Sequence, residues 1–415
     1  MPESLDETYE RVVKGIKKPN RDHALRLLQC LVVAIRPLHV EELAEVLAVD
    51  FDDAEGIPKL KPSWRWEDHE QALLSSCSSF ITIVDVGSLR VVQFSHFSVK
   101  EFLTSPRLAT SNAVVSRYYI DLEPAHTILA QACLGVLLGL DDHVDKEDIR
   151  SKPLERYAAE YWASHAQFGN ASSHLRKAME YLFDPDKSHF VRWLGIYDID
   201  RVPTSSSTFF LSRAWNKHNA APLYYAALCG FHDLTEYLIM KHPQQVNADG
   251  GYYLRPLVAA LAGEHFRTAE LLHRNGADPD VQRHDKRTPL HSAAFYGHLK
   301  VVQKLIEYGA DTHAKDTYGK SPLHFAMICE YIEGPDIVRE LIEHGADVNA
   351  RSKEGSTPLH LASHLGNLKL ARVLLENGVN VETKDNSGRS PFQLASWNQL
   401  DEMMQLLLEF GAESA

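Results

Sequence analysis

The chain has 415 residues, more than one hydrophobic core normally serves, so two or three domains are expected. Its 44% apolar and 24% charged composition is ordinary for a soluble globular protein. The net charge of −13 works against general attraction to nucleic acid or anionic lipid, both negative themselves, and fits a basic partner better.

The acidic start MPESLDETYE lacks the basic-then-apolar layout of a secretion signal. Beyond it, HALRLLQCLVVA reads as a largely buried helix ending at Ala34, and HVEELAEVLAVD, from His39 to Asp50, as a second, amphipathic one. Arg36 and Pro37 separate them. A third helix around Gln71 to Cys77 precedes FITIVDVGSLRVVQFSH, whose two β-rich runs flank a turn at Asp85 to Ser88 and predict a hairpin. Three helices and a hairpin make a winged-helix layout over residues 1–106. Such a layout can bind DNA, but HVEELAEVLAVD carries Glu41, Glu42, Glu45 and Asp50 with no Lys or Arg, and the acidic FDDAE follows. Phosphates would repel it, so no nucleic-acid partner is expected.

The stretch QFSHFSVKEFL then passes from strand-like to helix-like spacing at His96, with Phe94, Phe97, Phe102 and Leu103 read as core. Residues 107–185 read as a helical linker, clearest in AHTILAQACLGVLLGL and LERYAAEYWASHAQF. Its longest apolar run, Ile128 to Leu140, falls short of the roughly 20 residues a membrane span needs, so no membrane partner and a cytoplasmic location are expected. The acidic DDHVDKEDI lacks the central glycine and terminal glutamate of a calcium loop and reads as a solvated connection. Residues 186–216 read as a lead-in helix around Phe190 to Ile196 and a loop, VPTSSSTFF from Val202. Across the chain the five cysteines (Cys30, Cys77, Cys133, Cys229, Cys329) are odd in number and far apart, as buried thiols in a reducing compartment would be.

In RPLHVEELAEVLAVD, FSHFSVKEFL, PLERYAAEYWASHA and FDPDKSHFVRWLGIYDID, roughly residues 5–200 resemble the winged-helix segment that follows the NACHT nucleotide-binding domain in fungal STAND-type, NLR-like signalling ATPases. A similar winged helix is associated with proteins labelled GPI inositol-deacylase. That label implies a lipase, yet no GxSxG nucleophile elbow occurs in this sequence. In the NACHT family the histidine of an F-x-H-x-S-x-x-E-F pattern can face the β-phosphate of bound ADP, and His96 occupies that position. The resemblance therefore implies a cofactor-binding role for His96 only alongside a NACHT domain. No GxxxxGK[ST] loop is present to grip phosphates, so the chain alone is expected to take no cofactor. By this resemblance the chain is expected to be the downstream part of a longer switch protein, or a truncated relative that kept the histidine and lost the nucleotide-binding part, with His96 closing the strand-to-helix junction.

In the C-terminal half the tetrapeptides APLY, RPLV, TPLH, SPLH, TPLH and SPFQ place prolines at 222, 256, 289, 322, 358 and 391, separated by 34, 33, 33, 36 and 33 residues. Glycines 276, 309, 345, 378 and 411 follow the later five by 20, 20, 23, 20 and 20 residues. The pattern resembles ankyrin repeats, six of them over residues 217–415, and members of the NACHT family above include some that continue into such repeats. Ser or Thr before Pro caps a new helix whose first turn the proline presets. The alanines that follow (Ala293, Ala294, Ala326, Ala362, Ala395) let helices approach, and each later glycine stops the second helix of its pair. Three residues before the prolines, Asn219, Gly319, Gly355 and Gly388 suit positive φ in the connecting hairpins. Tyr253 and Lys286 do not, so those two hairpins are expected to be distorted. The three extra residues of the 36-residue unit fall in ICEYIEGPDIV, between its helices, and read as a tolerated loop or a local contact point.

The predicted fold is mainly α: a winged helix with a small β-hairpin, a helical linker, and an ankyrin-repeat α-solenoid. The resemblance implies a non-enzymatic scaffold whose concave surface of hairpin tips and first helices binds a protein, as the sensor half of an NLR-like protein. Carried onto matching positions, that surface contains Arg287, Phe295, Tyr296, Tyr318, Lys320, His364, Leu365, Arg389 and Trp397, with the aromatics as anchors. The alternative is a regulatory fragment that lends His96 to a NACHT-bearing chain. His291, His324 and His360 recur at spacings of 33 and 36 residues, which marks equivalent structural positions rather than metal ligands.

Overall fold

The computed structural model describes residues 5–53, 56–77, 79–140, 153–200 and 220–413, which form two compact units: residues 1–222 with 231–241, and residues 223–230 with 242–415. Asn219, DDHVDKEDI and VPTSSSTFF lie outside the described residues.

The first unit opens with α1 (Leu5–Gly15) and α2 (Arg21–Val33), followed by β1 (Leu38–His39), α3 (Val40–Glu45), β2 (Val49–Asp50), β3 (Lys59–Leu60) and α4 (His69–Cys77). The hairpin is β4 (Ile81–Val86) and β5 (Leu89–Phe94), turned at Gly87, whose φ is +63°. A short strand that the sequence pattern conceals completes the sheet: β1 joins β5, with Leu38 opposite Val92, giving the antiparallel order β1-β5-β4.

HVEELAEVLAVD is not one amphipathic helix. Residues 42–49 are buried without a break, which no single helix face can achieve, and the chain leaves α3 at Glu45 for a tight turn and for β2, paired antiparallel with β3. Glu42 and Glu45 point inward. Arg36 donates to both Glu42 oxygens, at 2.8 and 2.6 Å, and Arg65 pairs with Glu45 through Nε and Nη2. The acidic face at this helix therefore reduces to Glu41 and the half-buried Asp50.

The strand-to-helix passage also corrects the expected core. Phe102 and Leu103 of α5 (Phe97–Thr104) are buried and Phe94 is half-buried, but Phe97, in the first turn, is 73% exposed.

After the short helices α6 (Pro106–Ala109) and α7 (Ala113–Ser116), α8 (Leu122–Leu138) runs through the middle of this unit, packed on α2 and on α9 (Glu155–Ala166). Among the described residues no helix is long and apolar enough to cross a membrane. Beyond α10 (Ala171–His174), helices α11 (Arg176–Leu182) and α12 (His189–Ile196) close an aromatic cluster. In it Trp162 meets Trp193 at 5.3 Å and Phe231 at 5.4 Å, and the Trp193 indole N–H donates to Ala159 O at 2.9 Å. All five cysteines are buried and unpaired with one another, and burial pushes the Cys30, Cys77 and Cys229 thiols up to about 12.

Six helix pairs begin at the six prolines: α13 (Pro222–Leu228) and α14 (His232–Lys241), α15 (Pro256–Ala262) and α16 (Phe266–Arg274), α17 (Pro289–Tyr296) and α18 (Leu299–Glu307), α19 (Pro322–Ala326) and α20 (Gly334–Glu343), α21 (Pro358–Leu365) and α22 (Leu368–Glu376), α23 (Pro391–Trp397) and α24 (Asp401–Glu409). Helix α14 belongs to the first unit, most of the rest to the second. Ala294, Ala326, Ala362 and Ala395 are fully buried at helix contacts, and the five stop glycines have φ between +75° and +89°.

The two unusual hairpins differ from each other. Lys286 takes the left-handed conformation itself (φ +59°), and its hairpin closes regularly, Arg283 N donating to Arg287 O at 3.0 Å; the expected distortion is absent. At Tyr253 the distortion is present, for the positive φ moves to Gly251 and Leu254, and the Tyr253 amide donates to the Tyr224 hydroxyl at 3.1 Å. Lys286 thus carries left-handed strain that glycine would not, whereas Gly319 (φ +73°) has no room for a side chain: a Cβ there would stand 3.0 Å from the Lys353 backbone nitrogen. Lys286→Gly is expected to stabilise the chain by about 0.5–1 kcal/mol and Gly319→Ala to destabilise it by about 1–2 kcal/mol, both read from urea unfolding.

Candidate interaction surface

The surface is organised by three histidines. In α17, α19 and α21 the residue before the proline and the histidine three positions on form a reciprocal cap: Thr288, Ser321 and Thr357 donate their backbone N–H to Nδ1 of His291, His324 and His360 at 3.1, 3.1 and 3.2 Å. The opposite nitrogen, Nε2, donates to a carbonyl of the next unit's hairpin, at Lys320, Ser356 and Arg389 respectively, each at 3.1 Å. A backbone N–H can only donate and a carbonyl only accept, so Nδ1 is bare and Nε2 carries the proton. With both nitrogens used inside the fold, these rings have none left for a metal.

Backbone bonds join the hairpins into a row: Thr317 N to Asp285 O at 2.8 Å, Lys353 N to Tyr318 O at 2.8 Å, and Asn386 N to Glu354 O at 2.9 Å. Buried carboxylates brace their turns. Asp316 Oδ1 accepts from the amides of Tyr318 and Lys320, and Asp385 Oδ1 from those of Ser387 and Arg389, all at 2.8–2.9 Å.

On this frame the nine residues carried over from the family sort into two groups. Several are committed within the fold. Arg287 lies 3.3 Å from Asp285 Oδ2 and 3.8 Å from Asp316 Oδ2, with its guanidinium 4.7 Å over the Phe325 ring. Arg389 donates to Asp385 and sits 5.9 Å over Trp397. Phe295 is half-buried and meets Tyr296 edge-on at 5.0 Å, His364 is tied to Asn398 at 2.8 Å, and half-buried Lys320 offers its carbonyl to His291. The others reach into solvent: Trp397 is 73% exposed, Tyr318 55% and Leu365 52%, with Tyr296 less so. Arg287 lies over Phe325 and Arg389 over Trp397, so hairpin cations and helix aromatics share patches.

Two strongly exposed apolar residues escaped this reading, Tyr331 and Ile332, both in the three-residue insertion. The 36-residue spacing was the available signal.

His96 stands apart, in the first unit. It is the N-cap of α5: its Nδ1 lies 2.6 Å from Ser98 Oγ and accepts from Ser98 N at 3.3 Å, and the ring is exposed beside Phe97. Among the described residues no group of three or more His, Cys, Asp or Glu side chains is placed to hold a metal.

The family described as "GPI inositol-deacylase, winged helix domain" matches residues 9–115, and the family described as "Ankyrin repeats (3 copies)" matches residues 257–352 and 328–414. The chain thus combines a winged-helix domain of the GPI-inositol-deacylase type with ankyrin repeats, which are non-catalytic modules of protein–protein interaction. It is 33% identical over 292 residues to the azaphilone pigments biosynthesis cluster protein L of Monascus ruber. That alignment covers 67% of this chain and 60% of the relative, so the chain spans less than two thirds of the relative's length.

Burial holds the three cap histidines below their ordinary value of 6.5, His324 to about 4. A histidine depressed in the folded state binds its proton more readily when unfolded, so the stabilisation is full above pH 6.5 and is lost as pH falls from there toward 4. Gln393 already replaces histidine in the last unit, where its Oε1 accepts from Ser390 N at 3.0 Å. His324→Gln should therefore keep the cap but reduce the fall in thermal midpoint between pH 7 and pH 5, compared by circular dichroism. An unchanged pH dependence would contradict the assignment.

Proposed function

We propose that this chain is a non-enzymatic interaction protein whose ankyrin repeats, over residues 217–415, dock a protein partner. Residues 1–106 form the winged helix, 107–185 the helical linker and 186–216 the lead-in segment. The observation that carries this reading is the contrast within the repeats: backbone and histidine bonds satisfy the frame, while Trp397, Tyr318 and Leu365 stay exposed on it. Large aromatic side chains fixed on a rigid support give much contact area for little ordering cost, which is the chemistry of an anchor. The Monascus ruber relative carries a name that assigns it to a biosynthesis cluster and not to a reaction, in keeping with a role exerted through a partner.

A second reading is favoured by one observation, the exposure of His96 at the start of α5. On it, the winged helix belongs to an NLR-like, STAND-type switch of the fungal kind, and His96 meets the phosphate of ADP held by a NACHT domain on a cytoplasmic protein. Titration calorimetry separates the two. This chain should give no heat when titrated into an ADP-loaded NACHT-bearing protein, whereas binding there that vanishes in His96→Ala would put the switch reading first.

For the anchors, Tyr318→Ala combined with Trp397→Ala should cut recovery of at least one captured protein tenfold or more in quantitative affinity capture, with unchanged circular dichroism. Equal recovery of every captured protein would remove both residues from the surface.

A further inference from the structure

The insertion in the fourth helix pair is built to hold an apolar side chain in water. Ala326 O accepts from Cys329 N at 3.2 Å and Tyr331 O from Gly334 N at 3.1 Å, so the extra residues form closed turns. Tyr331 lies against the preceding pair at Gly297 (φ +78°): a Cβ on that glycine would stand 2.6 Å from Tyr331 Cβ and 2.9 Å from Cγ. The Tyr331 side chain lies close on the Gly297 backbone, and Ile332, next in sequence, is left 94% exposed, the most exposed large apolar side chain among the described residues.

The charges beside it have one sign. Glu330, Glu333 and Asp336 are exposed, and Arg339 is drawn to Asp336 Oδ1 at 2.7 Å. Glu330 and Glu333 form no ion pair among the described residues. A fixed apolar knob between two unpaired carboxylates complements a segment that offers an apolar contact flanked by cations. A second copy of the chain would bring the same net charge of −13 against it.

We propose that Tyr331, Ile332 and their flanking glutamates form a docking knob for a basic peptide segment of another protein: Ile332 inserts into the segment's apolar contact, and Glu330 and Glu333 pair with its Lys or Arg side chains. The site rests on the reading of the repeats as a docking platform and adds to it the chemistry of one partner.

The test is selection of a random peptide display library on the full chain, followed by fluorescence anisotropy with the consensus peptide. The expected consensus places Lys or Arg around one large apolar residue, and its binding weakens with added salt. Ile332→Ser should raise Kd at least tenfold, and Glu330→Lys with Glu333→Lys should do the same, whereas Leu408→Ser, at an exposed apolar residue of α24, should leave Kd within twofold. No enrichment, a neutral or acidic consensus, or a Kd unmoved by Ile332→Ser overturns the proposal. If peptides are selected that lose affinity in Trp397→Ala but not in Ile332→Ser, the docking platform stands and the knob falls. A dimer seen by light scattering that becomes a monomer in Ile332→Ser would make the occupant a second copy and equally refute the basic segment.

Discussion

From the third repeat to the last hairpin, what the repeats present to solvent depends on a neutral imidazole shared between consecutive units. His291, His324 and His360 each cap their own helix through Nδ1 and reach the next hairpin through Nε2. One side chain thereby sets a helix start and the register of its neighbour. The buried carboxylates of Asp316 and Asp385 finish the work by ordering the hairpins that the histidines fix. Since no unit buries its apolar face alone, such links between neighbours are what turn a series of helix pairs into a surface.

The first unit meets the same physical demand with charge. Glu42 and Glu45 are tolerated inside because Arg36 and Arg65 arrive with matched hydrogen bonds, and removing either arginine would leave a buried carboxylate without its counter-charge. The Arg36 guanidinium also lies 4.9 Å over the Tyr157 ring, and the Tyr157 hydroxyl continues to His165 at 2.9 Å and on to His126 at 2.8 Å. Burial lowers the His165 ring to about 3, so this imidazole is neutral across the physiological range.

Much of this was legible in the sequence because it follows local rules. Prolines at helix starts, glycines at helix stops and the β-turn-β run of the wing are determined by backbone conformations that few residues adopt, and they fell where the spacing placed them. What could not be read is tertiary. A two-residue strand such as β1 has no periodicity of its own. Glu42 and Glu45 look like solvated charges until their arginines, one of them 20 residues away, fold against them. Phe97 looks like core, yet capping by His96 turns it outward. Lys286 shows that a position needing positive φ can be filled by a strained lysine when the flanking hydrogen bonds hold it. Tyr331 and Ile332 sat in plain view in the longest unit, but an insertion shows its length in sequence and not its exposure.

The most direct measurement of the central claim is the tautomeric state of the three cap histidines, by nitrogen-15 correlation spectroscopy on histidine-labelled protein. The account predicts neutral rings protonated at Nε2 for His291, His324 and His360 at pH 7. Imidazolium signals, or neutral rings protonated at Nδ1, would contradict it.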